Sequence, residues 1–132
     1  MTELLNESEA IIQTRHLMVE SNVDNNLAVN SNRQTLTIIL RNLIQNAVSH
    51  ADLNSRIEVS AIQDNFDCLI AISNVASTFP ASDIEKVFDR FWRADPSRHE
   101  TGRYSGLGLS LCQRLAQRSG ASLQASCNNG VF

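Results

Sequence analysis

Asn42 and Asn46, in the stretch RNLIQNAVSHA at 41–51, are the residues of this chain best placed to do chemistry. On a helix of 3.6 residues per turn, positions i and i+4 share one face. Asn is a poor helix former, and a buried amide costs on the order of a few kcal/mol unless its polar groups are satisfied. Two of them beside an apolar stripe suit a hydrated divalent cation carrying phosphates, since hard cations take oxygen ligands. A solvated helix face is the alternative, and on these residues alone both readings stand. Arg90, Arg93, Arg98 and Arg103 are a second candidate group, because guanidinium forks match phosphate oxygens. A solvated loop would contain the same residues.

The asparagine pair needs a helix to hold it. Leu36, Ile39, Leu40, Leu43, Ile44 and Ala47 recur at core spacing, and Ser31-Asn32 offers an N-cap for a helix reaching about His50. Residues 16–23 and 26–30 read as two short strands around the turn-forming Asp24-Asn25. Residues 56–62 alternate, with Ile57, Val59 and Ala61 on one face, and read as a half-buried strand. The denser run 66–73 (FDCLIAIS) predicts a central strand covered on both sides. Pro80 breaks the following loop, and Ser82 or Asp83 can cap a short helix through Phe88. Residues 95–105 read as a loop, Gly106 to Leu109 open a helix that Gly120 stops, and 121–127 is a strand. Asn128-Asn129-Gly130 is a hairpin turn, after which Val131-Phe132 begin a strand left unfinished. The mixture predicts an α+β fold, one sheet carrying helices on a single face. Residues 1–14 are polar, compatible with a helix, and read as a lead-in from a missing upstream region, with 15–132 expected to form the domain.

At 132 residues the chain suits one core. A net charge of −3 argues against a nucleic-acid platform. Cys68, Cys112 and Cys127 lack metal-ligand spacing and read as reduced, mostly buried residues. No run has the length of a membrane span and no signal pattern opens the chain. A soluble piece of a longer, membrane-anchored protein is expected.

In order, NLIQNA on a helix, a loop after a strand, FDRFWRAD, and SGLGLSL opening a second helix resemble the ATP-binding catalytic domain of sensor histidine kinases. That group shares its fold with Hsp90, gyrase and MutL, and the resemblance covers roughly residues 15–132. It implies a two-layer α/β sandwich, the Bergerat ATP-binding fold, with a mixed and mostly antiparallel sheet. ATP and Mg²⁺ are the implied cofactors. Asn46 matches the Mg²⁺ ligand and Asn42 its partner one turn earlier; His50 falls near adenine and ribose. Phe88, Phe91 and Trp92 match the aromatic box that hinges a lid, with Phe91 toward the nucleotide. Arg93 matches a phosphate partner and, with Asn46, carries the catalytic role. Gly106 and Gly108 match the second glycine box, supported by Leu107 and Leu109, where backbone approaches the triphosphate and a helix N-terminus faces it.

The sequence departs from the family in three places. Ser49 stands where many members carry Lys or Arg, and Tyr104 where a glycine is common. The first glycine box, usually Asp-x-Gly-x-Gly, is here Asn74-Val75-Ala76-Ser77-Thr78. Asn74 keeps a carbonyl acceptor for the adenine amino group but loses the charge, and charged acceptors bond roughly twice as strongly. The expected cost is about ten-fold in affinity. Ala76 and Thr78 add Cβ atoms where glycine permits close approach or positive φ.

The resemblance implies a domain that presents the Mg²⁺–ATP γ-phosphate to a histidine on a separate dimerisation and phosphoacceptor domain. A response-regulator receiver domain would be the further partner, and the setting cytoplasmic, with no membrane contact by this piece. His16 and His99 do not fit the acceptor. A degenerate domain with weak or no nucleotide binding, serving as a docking module, is the rival that the Asn74 loop motivates. A gyrase- or MutL-type machine fits poorly, since 31–51 contains no acidic residue. A serine kinase acting on an anti-sigma partner fits FDRFWRAD less well.

Overall fold

The computed structural model describes residues 1–24, 27–64, 67–92 and 108–132. Its longest element is α3, Arg33–His50. The Asn32 side chain caps it by accepting the Thr35 N–H at 3.0 Å, as the Ser31-Asn32 signal predicts. One stripe of α3, Ile44, Ala47 and Val48, is buried against the sheet in a core shared with Ile57 and Val59. Ile39, with Leu43 beside it, instead packs on Cys112 and Ala116 of α4, Gly108–Arg118. Gly120, at φ +73, follows α4 where a helix stop is expected.

The sheet has the order β1-β2-β3, with β1 Met18–Val23, β2 Arg56–Asp64 and β3 Asp67–Asn74. β1 runs parallel to β2, and β3 antiparallel to it. β2 is the middle strand, and its alternation buries Ile57, Val59 and Ala61 as expected. Among the described residues helices cover one face only, and the α+β expectation holds.

Three expectations need correction. β3 is neither central nor covered on both sides. Its residues alternate in burial, and Leu69, opposite Ile62 on the uncovered face, is 59% exposed. An apolar run reports hydrophobicity but not the side from which cover comes. Residues 27–30 form no strand, since no strand lies beyond β1 to pair with them among the described residues. Residues 121–127 also lack a ladder, because Leu123 of that stretch packs on the α3–α4 cluster instead.

Two smaller elements fall near their expected places. The short helix is a 3₁₀ turn at Ala81–Lys86, entered from Pro80 without a side-chain cap from Ser82 or Asp83. The Asn129-Gly130 turn has φ +50 and +75, the type I′ signature, and its flanking Asn128 and Val131 pair. That hairpin returns the chain to β3, where the Asn74 and Phe132 backbones exchange hydrogen bonds of 2.8 and 2.9 Å.

The first fourteen residues hold two short helices, α1 Thr2–Asn6 and α2 Glu9–Thr14. Leu4 and Ile12 are buried in the same core as Ile44 and Val48. Arg41 of α3 grips Glu7 with two bonds of 2.7 and 2.8 Å, and this pairing holds the Glu7 carboxyl below its usual range.

Candidate functional site

Asn42 and Asn46 lie half-buried on α3, and Asn42 meets the start of α4. The Asn42 amide nitrogen donates to the Ile38 carbonyl at 2.8 Å. This bond fixes the side chain and turns its oxygen toward α4. A Cβ placed on Gly108 would lie 3.3 Å from that oxygen, tighter than ordinary packing. Glycine at 108 therefore lets the α4 N-terminus close on the asparagine face. One turn on, the Asn46 side chain makes no hydrogen bond to any described residue. Leu109, half-buried, follows Gly108 in the first turn of α4. His50 is exposed at the last position of α3. Arg93, Gly106 and Leu107 lie outside the described residues, as do Arg98, His99, Arg103 and Tyr104.

Asn74 closes β3 and is 3% exposed. Among the described residues its side-chain nitrogen makes only a long 3.4 Å contact with the Val75 carbonyl. The loop after it differs from what its lost glycines suggest. Neither Ala76 nor Thr78 has positive φ, so no residue there is forced into a glycine conformation. Ala76 is buried and donates its N–H to the Gly130 carbonyl at 2.7 Å. Gly130 itself is backed against Ser77, whose Cα would lie 3.3 Å from an added Cβ. The glycine that permits close backbone approach therefore stands in the opposing hairpin.

Phe79 joins this region to the end of the aromatic box. Its ring meets Trp92 edge-on at 6.2 Å and Phe132 at 5.2 Å. Phe91 is 70% exposed, at φ +65, and Phe88 is half-buried. Sequence reasoning missed Asp52, Phe79, Gly130 and Phe132. The one available signal was the Asn-Gly turn, whose role in bringing Gly130 to Ser77 depends on tertiary pairing.

Cys112 lies beneath the asparagine helix, with its thiol 3.8 Å from the Ile39 carbonyl. Burial pushes that thiol up to about 11, so it is an inert packing group near neutral pH. Cys68 and Cys127 are half-buried, less covered than expected.

The sequence profile of the histidine kinase-, DNA gyrase B- and HSP90-like ATPase family matches residues 31–131, and the chain belongs to that family. The sensor histidine kinase HprS of Escherichia coli K12 is 37% identical over 103 residues, covering 76% of this chain and 22% of HprS. The catalytic domain of histidine kinase ThkA superposes with a TM-score of 0.81 at 24% identity, covering 98% of this chain and 84% of that domain, a likeness of fold. ThkA in complex with the response regulator protein TrrA gives a TM-score of 0.73 at 22% identity, over 99% of this chain and 38% of that one. The fold, the family and these relatives define the ATP-binding catalytic domain of a sensor histidine kinase. The docking-module rival is not favoured. The chain spans 18–22% of the length of such sensor-protein relatives as IrlS and HprS. No helix among the described residues is long and apolar enough to cross a membrane.

Proposed function

We propose that this domain holds Mg²⁺–ATP between the asparagine face of α3 and the N-terminus of α4, and presents the γ-phosphate to a histidine on a separate dimerisation domain. The observation that carries the reading is the approach of Gly108 to the Asn42 oxygen, with the Asn46 amide, which bonds to no described residue, one turn away. This donor set fits a hard cation that arrives with phosphates and keeps some of its water. Asn46 would give the metal an oxygen ligand, and Asn42 would hold the neighbouring position. Mg²⁺, when bound, neutralises phosphate charge. The backbone N–H groups of the α4 first turn face negative charge, which a helix N-terminus stabilises.

On the other side, Asn74 offers a buried amide to the adenine edge, and His50 stands at the helix end beside the ribose. Phe91 and Leu109 flank the nucleotide, while Arg93, Gly106 and Leu107 keep the roles the family resemblance implies. Phosphoryl transfer asks little covalent help from a protein, so positioning and charge neutralisation are the domain's contribution. The phosphohistidine would then pass its phosphoryl group to a receiver domain; the ThkA–TrrA complex supports such a partner. We place the domain in the cytoplasm, with residues 15–132 as its nucleotide-binding unit and 1–14 packed against its core.

Isothermal titration with Mg²⁺–ATP tests the reading. The wild-type chain should bind saturably. Asn46→Ala should lose on the order of 100-fold in Mg²⁺-dependent affinity with its melting temperature unchanged. Unchanged affinity would remove Asn46 from the site, and no saturable heat in the wild type would overturn nucleotide binding altogether.

A further inference from the structure

The loop 74–78 lacks the glycines of its family, yet its backbone is unstrained and held from outside. Its main tether is Asp52, two residues past the end of α3. The Asp52 N–H donates to the Val75 carbonyl at 2.8 Å, and its carboxylate accepts the Ser77 N–H at 3.0 Å. One residue thus clamps the loop on both sides of Ala76, with its backbone at 75 and its side chain at 77. The Gly130 carbonyl holds Ala76 between them. The Ser77 hydroxyl and then its N–H keep the Asp52 carboxyl below its usual range, with a smaller contribution from Arg15. The carboxylate is therefore charged at neutral pH, and charge-assisted bonds are stronger than neutral ones. Arg15 is fixed in turn, because its guanidinium donates to the carbonyl of Ala51, the residue before Asp52.

We propose that Asp52 is a positioning residue for base recognition, clamping Val75 and Ser77 so that Asn74 faces the adenine edge in a loop without glycine. The inference rests on the nucleotide-binding reading above. It separates the two halves of the site: the clamp acts on the base and leaves the phosphates to α3 and α4. A residue with only a structural role would weaken every ligand alike.

Three titrations, with Mg²⁺–ATP, Mg²⁺–GTP and Mg²⁺–tripolyphosphate, test this on the wild-type chain and on Asp52→Ala, Asp52→Asn and Ser77→Pro. Asp52→Ala and Ser77→Pro, which lacks the donor N–H, should weaken ATP about three- to ten-fold and leave tripolyphosphate unchanged. GTP affinity should not follow the ATP loss. Asp52→Asn, which keeps a neutral acceptor, should recover part of it and covers the case in which Asp52→Ala fails to fold. Amide hydrogen exchange on the nucleotide-free protein gives a ligand-independent readout: the Ser77 N–H should exchange several-fold faster in Asp52→Ala. A parallel loss for all three ligands, or ATP affinity and Ser77 exchange both unmoved, overturns the inference while leaving nucleotide binding intact. Absence of saturable ATP binding in the wild type overturns the functional reading, and the clamp's proposed purpose with it.

Discussion

The two halves of the candidate site are held by different means. On α3 and α4 the important groups are set by helix geometry. Asn42 and Asn46 share a face because they lie four residues apart, and Gly108 closes on Asn42 because it has no side chain. The 74–78 loop has no periodicity to place it. Asp52 on one side and Gly130 on the other hold it through backbone hydrogen bonds, from positions distant in sequence. A loop without glycine can thus be held in place by close contacts that other segments supply.

Asn74→Asp gives the largest expected gain in affinity and tests whether the loop half faces a base. Restoring the charged acceptor should tighten ATP binding about ten-fold by titration. Thermal melting of the nucleotide-free protein should show a loss of stability, because a carboxylate would replace a buried amide. A neutral or weakened affinity would mean that Asn74 does not meet the adenine. Gly108→Ala tests the helical half in the same assay. The new Cβ would press on the Asn42 oxygen, which the Ile38 bond prevents from yielding freely. Affinity should fall a few-fold (roughly 1 kcal/mol) with no loss in melting temperature, since alanine suits a helix better than glycine. Unchanged affinity would show the helical half to be the softer of the two.

The smallest effect concerns Cys112, which supports the helical half from beneath. Its thiol ionises near 11 in the fold against an ordinary 9.0, so between those values the unfolded chain releases the proton first. The stability it contributes is complete below about pH 9 and is lost as pH rises through this window. Denaturant unfolding at rising pH should show that decline in the wild type, and Cys112→Ala should flatten it. An identical slope in both would mean that the thiol titrates normally.

Legibility in the sequence divides along the same line. Helix α3, its Asn32 cap, the buried alternation of β2, the Gly120 stop and the Asn129-Gly130 turn all follow from local rules. So does the shared face of the asparagines. What sequence could not reveal depends on which segments become neighbours. β3 looked central because hydrophobicity was read as two-sided cover, and 121–127 looked like a strand although its leucine packs on helices. The loss of glycine at 76 and 78 read as obstruction, because the contact between Gly130 and Ser77 joins residues more than fifty positions apart. Asp52 has no motif, and its contribution is visible only in three dimensions.

The burial of Leu4 and Ile12 beneath α3 has a practical consequence for anyone preparing this protein. Shortening the chain to start at residue 15 would strip two plugs from the hydrophobic layer behind Ile44 and Val48 and leave Arg41 without Glu7. Weak ligand binding by such a trimmed version would report a loosened scaffold, and residues 1–132 together are the fair sample for judging the site.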